Sequence, residues 1–207
     1  MIPLKLSVQG LYSYQDTQEI DFTRLTSSAI FGIFGKVGSG KTSLIEAISF
    51  VLYDKTERLN DRGDNRHYNM MNLQSKTSRI DFEFRAGDEG QRYRFVYEAK
   101  RNLRKYHEVT NSERRAFKWT GEQWQPISND KENIGVLAEA ILGLDYDNFK
   151  RTIIIPQNQF REFLELTPGK RNEMMNRLFK LEQYDLSKRV AKLERANDLE
   201  LAELRGW

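Results

Sequence analysis

Apolar and polar residues alternate in several short stretches of this 207-residue chain. Leu4, Leu6 and Val8 interleave with Lys5, Ser7 and Gln9, which predicts a strand with one buried face. Gln18–Phe22 is expected to pair with it antiparallel. Ser78–Arg85 and Gln91–Glu98 alternate on either side of Gly87-Asp-Glu-Gly90, so a hairpin is predicted there. Ala116–Gln125 predicts a shorter hairpin turning at Thr120-Gly121. Two more runs stand out: Ala29–Gly35, apolar and ending in glycine, and Phe149–Pro156, β-branched and ended by proline. Both predict buried strands.

Helical spacing appears after residue 41. Leu44, Ile45, Ile48, Val51 and Leu52 mark one helix within Thr42–Tyr53. Ile134–Leu142 predicts another, stopped by Gly143, and Phe160–Leu166 a short third. Asp54–Thr77 is polar and irregular. Thr167-Pro168 reads as a helix cap followed by proline at the first helical position. Beyond it the chain is charged, with no proline and with glycine only at Gly169 and Gly206. Leu186, Val190, Leu193, Asn197, Glu200 and Leu204 fall at alternating spacings of four and three, a heptad-like seam weakened by Asn197 and Glu200. A helix of that kind needs a partner, and it is still running at Trp207. The expected division is a lobe over 1–168 and the base of a long helix over 169–207.

Composition narrows the chemistry. There is no cysteine, which excludes disulfides and thiolate metal sites. His67 and His107 lie far apart, each without a second ligand at metal-binding spacing. No segment is apolar enough to span a bilayer, and the N-terminus lacks the apolar core of a signal peptide. A soluble cytoplasmic protein with no membrane partner is the expectation. The formal charge of +3 says little, but nine basic residues against three acidic ones cluster between Gln91 and Lys118, interleaved with aromatics. This run fits either a surface for DNA phosphates or the solvated face of a hairpin.

One motif carries specific chemistry. Gly35-Lys36-Val37-Gly38-Ser39-Gly40-Lys41-Thr42 fits G-x-x-x-x-G-K-[ST], the phosphate-binding loop of nucleotide hydrolases and kinases. Its glycines let backbone N–H groups wrap phosphate oxygens, Lys41 can reach the β- and γ-phosphates, and the Thr42 hydroxyl can ligate Mg²⁺. An apolar run before it and a helix after it are the context this motif requires. A second segment, Ile153-Ile-Ile-Pro-Gln-Asn-Gln-Phe-Arg-Glu-Phe-Leu164, delivers Gln157 to the carboxyl end of a predicted strand. There an amide oxygen can ligate Mg²⁺ and orient water. Taken alone, Gln157 and Gln159 are equally loop residues.

Leu4–Phe22, Phe31–Tyr53, Thr56-Glu57-Arg58-Leu59, Leu142-Gly143-Leu144-Asp145-Tyr146 and Ile153–Leu164, with the charged helix after them, together resemble the SbcC family of SMC-like DNA-repair ATPases. The resemblance implies an α/β fold: an ABC-ATPase-type head lobe, with a phosphate-loop core and a mostly antiparallel sheet, followed by the start of a long coiled coil. It implies the N-terminal half of a split head, since no strand ending in Asp-Glu and no Ser-Gly-Gly signature is present. ATP would lie on Gly35–Thr42, with Ser43 at the helix start, and Thr42 and Gln157 would share Mg²⁺. The base would pack near Tyr12 and Ser13 and near Asn69, Met70 and Met71. Many relatives carry a basic residue near Tyr12, and commonly Gln-Gly where this chain has Gln157-Asn158. The implied partners are the C-terminal half, a second head in an ATP-dependent homodimer, DNA, and an SbcD-type metal nuclease. The nuclease would dock at the helix base, about Lys170–Lys192, on a surface including Met174, Met175, Leu178, Phe179 and Leu181, or those residues pack on the head's own core or on the returning helix. The alternatives are a small-molecule kinase with the same loop, another SMC-like repair or chromosome-organising ATPase, and a module that holds nucleotide without turnover.

Overall fold

The computed structural model describes residues 1–25, 32–56, 58, 66–87, 89–128, 133–152, 167–170, 172, 176 and 187–206. Its framework is a six-stranded sheet built from β1 (Ile2–Gln9), β2 (Gln18–Asp21), β3 (Thr77–Ala86), β4 (Gln91–Arg101), β5 (Val109–Trp119) and β6 (Trp124–Pro126). The strand order is β2-β1-β3-β4-β5-β6, and every neighbour is antiparallel. Alternation fixes the register. Ile80 stands opposite Tyr97 and Phe82 opposite Phe95, so the apolar members of both strands share one face.

Against that face lies α1 (Lys41–Tyr53). Ala47, Phe50 and Val51 meet Leu6, Val8, Ile80, Phe82, Phe84, Phe95 and Tyr97 in one buried core. The Phe50 ring sits edge-on to Tyr97, with centroids 5.0 Å apart. The other end of α1 packs on α3 (Ile134–Leu142) and α4 (Tyr146–Thr152). α3 forms where the sequence predicts it. Asn133 accepts a cap bond from the Gly135 N–H at 2.9 Å, and Gly143 closes the helix at φ 70° with its N–H on the Glu139 carbonyl.

Three expectations change. Residues 32–35 of the predicted strand Ala29–Gly35 carry no strand, and Ile33 and Phe34 are exposed. An apolar run becomes a buried strand only with neighbours on both sides, and the described sheet places none beside it. Phe149–Thr152 is helical, the end of α4, because Asp145 caps it: its Oδ1 accepts the Asn148 N–H at 2.8 Å and its carbonyl the Phe149 N–H. Phe149 then buries beside Tyr53, whose hydroxyl donates to the Leu144 carbonyl at 2.7 Å. Finally, β5 begins at Val109, well before the predicted hairpin, and the irregular stretch contains a short helix, α2 (Arg66–Met70).

The chain divides into two compact units, Met1–Ile154 and Ile155–Trp207. In the second, α5 (Ser187–Arg205) is a helix with Val190, Leu193 and Leu199 exposed. Val190 and Leu193 of the heptad seam thus lie on one helix, and no coiled coil is formed among the described residues. Leu186, the predicted helix Phe160–Leu166 and the proposed docking residues Met174, Met175, Leu178, Phe179 and Leu181 lie outside the described residues. Among the described residues no helix is long and apolar enough to cross a membrane.

Candidate nucleotide-binding site

The phosphate-loop motif forms a closed turn leading into α1. Ser39 N–H bonds back to the Lys36 carbonyl at 3.1 Å. Gly38 and Gly40 take φ of 85° and 87°, in the region that favours glycine. The Lys41 ammonium folds over the loop and donates to the carbonyls of Gly35 at 2.7 Å and Lys36 at 2.8 Å. Gly40 precedes the helix without a side-chain cap, and the first intrahelical bond runs from Leu44 N–H to the Gly40 carbonyl. The preceding N–H groups, of Lys41, Thr42 and Ser43, have no carbonyl behind them in the helix. With no acidic residue in that turn, the helix end favours an anion. Thr42 is exposed there, Ser43 is buried, and Val37 points to solvent.

A second segment closes over the loop. The turn Leu11–Tyr14 follows β1, with Leu11 and Tyr14 bridged backbone to backbone. The Tyr14 hydroxyl donates to the Gly40 carbonyl at 3.1 Å. A Cβ at Gly40 would lie 2.7 Å from Ser13 Oγ and 2.9 Å from the Tyr14 hydroxyl, so glycine is required for the two segments to approach this closely. Between them is a hollow of about 310 Å³ lined by Tyr12, Ser13, Gly38, Gly40, Lys41, Thr42, Ser43 and Arg58. Its donors are backbone N–H groups, one ammonium, one guanidinium and hydroxyls, a set that suits a polyphosphate. Thr42 offers a hydroxyl oxygen to a divalent cation. Among the described residues no cluster of three or more His, Asp or Glu offers an alternative metal site.

The Tyr12 ring lies under the Arg58 guanidinium, 5.3 Å from its centroid, and Arg58 pairs with Glu46 of α1 at 2.9 Å. Burial, and then the nearby Glu46 carboxylate, push the Tyr12 hydroxyl up to about 12, so it stays protonated. Arg58 and Tyr14 belong to this site, and sequence pattern did not assign them a role. Arg58 sits in a polar stretch without periodicity, and Tyr14 acts through a hydroxyl contact that spacing does not encode.

The other predicted residues divide. Tyr12 and Ser13 line the hollow. Met70 and Met71 are buried at 1% and 3% exposure and do not line the hollow. Met70 reaches the site through its carbonyl, which accepts the Tyr12 N–H at 2.8 Å, and Asn69 is exposed. Gln157 lies outside the described residues.

The basic run of β4 and β5 is largely consumed within the fold. Arg92 pairs with Glu83, Arg94 with Asp81, Arg115 with Glu98 and Lys105 with Glu108. Arg114 pairs with Asp54 and donates to the Phe50 carbonyl at the end of α1 at 3.0 Å. Arg101 is 3% exposed and donates to the carbonyls of Ser75, Tyr106 and Asn72. These contacts tie most of the run into the sheet and its flanks, and Arg101 is buried rather than on a solvated face.

Comparison with known proteins agrees with this geometry. The chain is 31% identical over 214 aligned positions to the SbcC subunit of nuclease SbcCD from Clostridium acetobutylicum, covering 100% of this chain and 18% of that protein. It is 33% identical to the protein of the same name in Bacillus subtilis, covering 94% of this chain and 17% of that protein. It is also 31% identical to "Probable DNA double-strand break repair Rad50 ATPase" of Aquifex aeolicus, covering 92% of this chain and 18% of that protein. The chain thus spans less than a fifth of the length of these relatives. A solved chain from work on ATP-driven dimerization and DNA-stimulated activation of SMC ATPases shares the fold, with a TM-score of 0.54 at 17% identity. That likeness covers 86% of this chain and 99% of the solved one. Residues 5–205 match the family model described as an AAA domain, and the chain belongs to that family.

Proposed function

We propose that this chain is the N-terminal, nucleotide-binding part of an SbcC-type DNA-repair ATPase head. The observation that carries the proposal is the arrangement of Lys41 and the uncapped start of α1 beneath a turn bearing Tyr12, Ser13 and Tyr14. In this reading the backbone of Gly35–Thr42 and Lys41 hold the phosphates of ATP. Thr42 and Gln157 hold Mg²⁺, and Tyr12 and Ser13 border the nucleotide. Bound Mg²⁺ would offset charge on the β- and γ-phosphates. Met70 supports Tyr12 through its carbonyl while Met71 bridges Leu11, and residues 169–207 form the base of a coiled coil.

The full cycle requires more than this chain. Turnover needs a C-terminal half and a second head in an ATP-dependent dimer, and it would regulate an SbcD-type nuclease acting on DNA in the cytoplasm. The relatives' names support that assembly. The test has two stages. The chain should bind Mg²⁺–ATP, and Lys41→Ala should abolish binding. Mixed with a C-terminal half, it should hydrolyse ATP faster with duplex DNA than without. Phosphate transfer to a small molecule by the chain alone would instead establish the kinase alternative.

A further inference from the structure

Tyr12 occupies a position that its residue type does not favour. Its φ is 47°, a left-handed conformation rare for a bulky side chain, and such a residue persists only where its surroundings over-determine it. The surroundings that do so come from the segment after α2. Met70 accepts the Tyr12 N–H at 2.8 Å. Asn72 takes the other side: its Nδ2 donates to the Tyr12 carbonyl at 2.6 Å, and its backbone N–H donates to the Gly10 carbonyl at 2.9 Å.

Asn72 is itself fixed from three directions. Its Oδ1 accepts the Gln74 N–H at 3.0 Å. Its carbonyl accepts the Ser75 N–H at 3.0 Å and the buried Arg101 guanidinium at 2.9 Å. A rigid amide thus grips the peptide of the one residue in the turn that is conformationally unfavourable. That residue and its neighbour Ser13 form the wall facing Lys41 and Thr42. From this geometry we infer that Asn72 is a positioning residue of the nucleotide site: its side-chain amide holds Tyr12 in the left-handed conformation and so sets the wall against which a nucleotide binds. The inference rests on reading the hollow as a nucleotide site.

Asn72→Asp is the discriminating variant. The carboxylate keeps an acceptor for Gln74 but replaces the donor to Tyr12 with a second acceptor. Titration of the 207-residue chain with a fluorescent ATP analogue and Mg²⁺ should show about tenfold weaker binding, the equivalent of one lost hydrogen bond. Parent-like affinity overturns the inference. In a Tyr12→Gly background, where φ 47° needs no support, Asn72→Asp should change affinity no further. An equal loss in both backgrounds means that Asn72 acts otherwise than through Tyr12, which also overturns it. Should Asn72→Asp fail to fold, Asn72→Gln decides, since it keeps both amide groups but moves them by one methylene. A loss of about threefold is expected, and unchanged affinity refutes the idea. Lys41→Ala separates the two levels. If it binds as tightly as the parent, the nucleotide-site reading fails. If only Lys41→Ala loses affinity, the positioning role of Asn72 alone fails.

Discussion

Replacing Gly40 by alanine tests the contact between the turn after β1 and the phosphate loop, with Gly38 as its internal control. Both glycines have nearly the same φ, 87° and 85°. A Cβ in a left-handed conformation costs roughly 1–2 kcal/mol, so both variants should lose that much. Their surroundings differ. Nothing lies within 4 Å of a Cβ at Gly38, whereas at Gly40 it meets Ser13 Oγ at 2.7 Å, the Tyr14 hydroxyl at 2.9 Å and Tyr14 Cζ at 3.0 Å. The aromatic ring has to retreat, and its hydrogen bond to the Gly40 carbonyl, worth about 1 kcal/mol, is lost with it. Gly40→Ala should therefore cost roughly 2–3 kcal/mol and Gly38→Ala roughly 1–2 kcal/mol. Urea unfolding of the two variants without nucleotide measures the difference. In a Tyr14→Phe background the hydroxyl and its bond are already gone, and the gap between the variants should narrow. Equal losses from Gly38→Ala and Gly40→Ala would refute the claim that the turn rests on the loop.

Other variants probe the frame around the site. Arg114→Ala removes a guanidinium that ends α1, pairs with Asp54 and stacks 4.3 Å from the Phe50 ring centroid. It should lower stability by about 2–3 kcal/mol, read by chemical denaturation. Arg101→Glu should reduce the melting temperature sharply and, in whatever still folds, leave the salt slope of DNA binding unchanged, because the side chain is buried on three carbonyls. Asp81 supplies a pH test. Burial pushes its carboxyl up, but the Arg94 and Arg79 guanidinium groups outweigh that and hold it below the ordinary carboxylate range. Its contribution is then complete above about pH 4 and lost as pH falls through the lower folded value, so Asp81→Asn should flatten the acid limb of stability below about pH 4. An unchanged acid limb would show that the ion pair does not couple to folding.

Legibility in the sequence follows the kind of force that acts. Strands β1, β3 and β4 were readable because alternation reports one buried face, and α3 because Gly143 stops an apolar run. The start of β5 was not, since Val109-Thr-Asn-Ser-Glu-Arg-Arg is polar and owes its strand to pairing with β4. Phe149 lies at the head of a β-branched run, yet local capping by Asp145 and a place beside Tyr53 make it helical. At the site, the phosphate loop was legible because its chemistry is written in consecutive residues. Arg58, Tyr14 and Asn72 were not, because they act on the site through contacts to residues distant in sequence.

The pairing of β1 with β3 has a consequence for folding kinetics. Gln9 stands opposite Arg79, and the chain between them contains the phosphate loop, α1 and the segment that grips Tyr12. Closing so long a loop is an entropically late event. The loop and α1 can form locally, but the hollow acquires its wall only when Asn72 and β3 reach β1. A ligand selective for the finished hollow would then act after the rate-limiting step. It would slow unfolding without speeding refolding, a separation that a chevron measured with and without ATP would resolve.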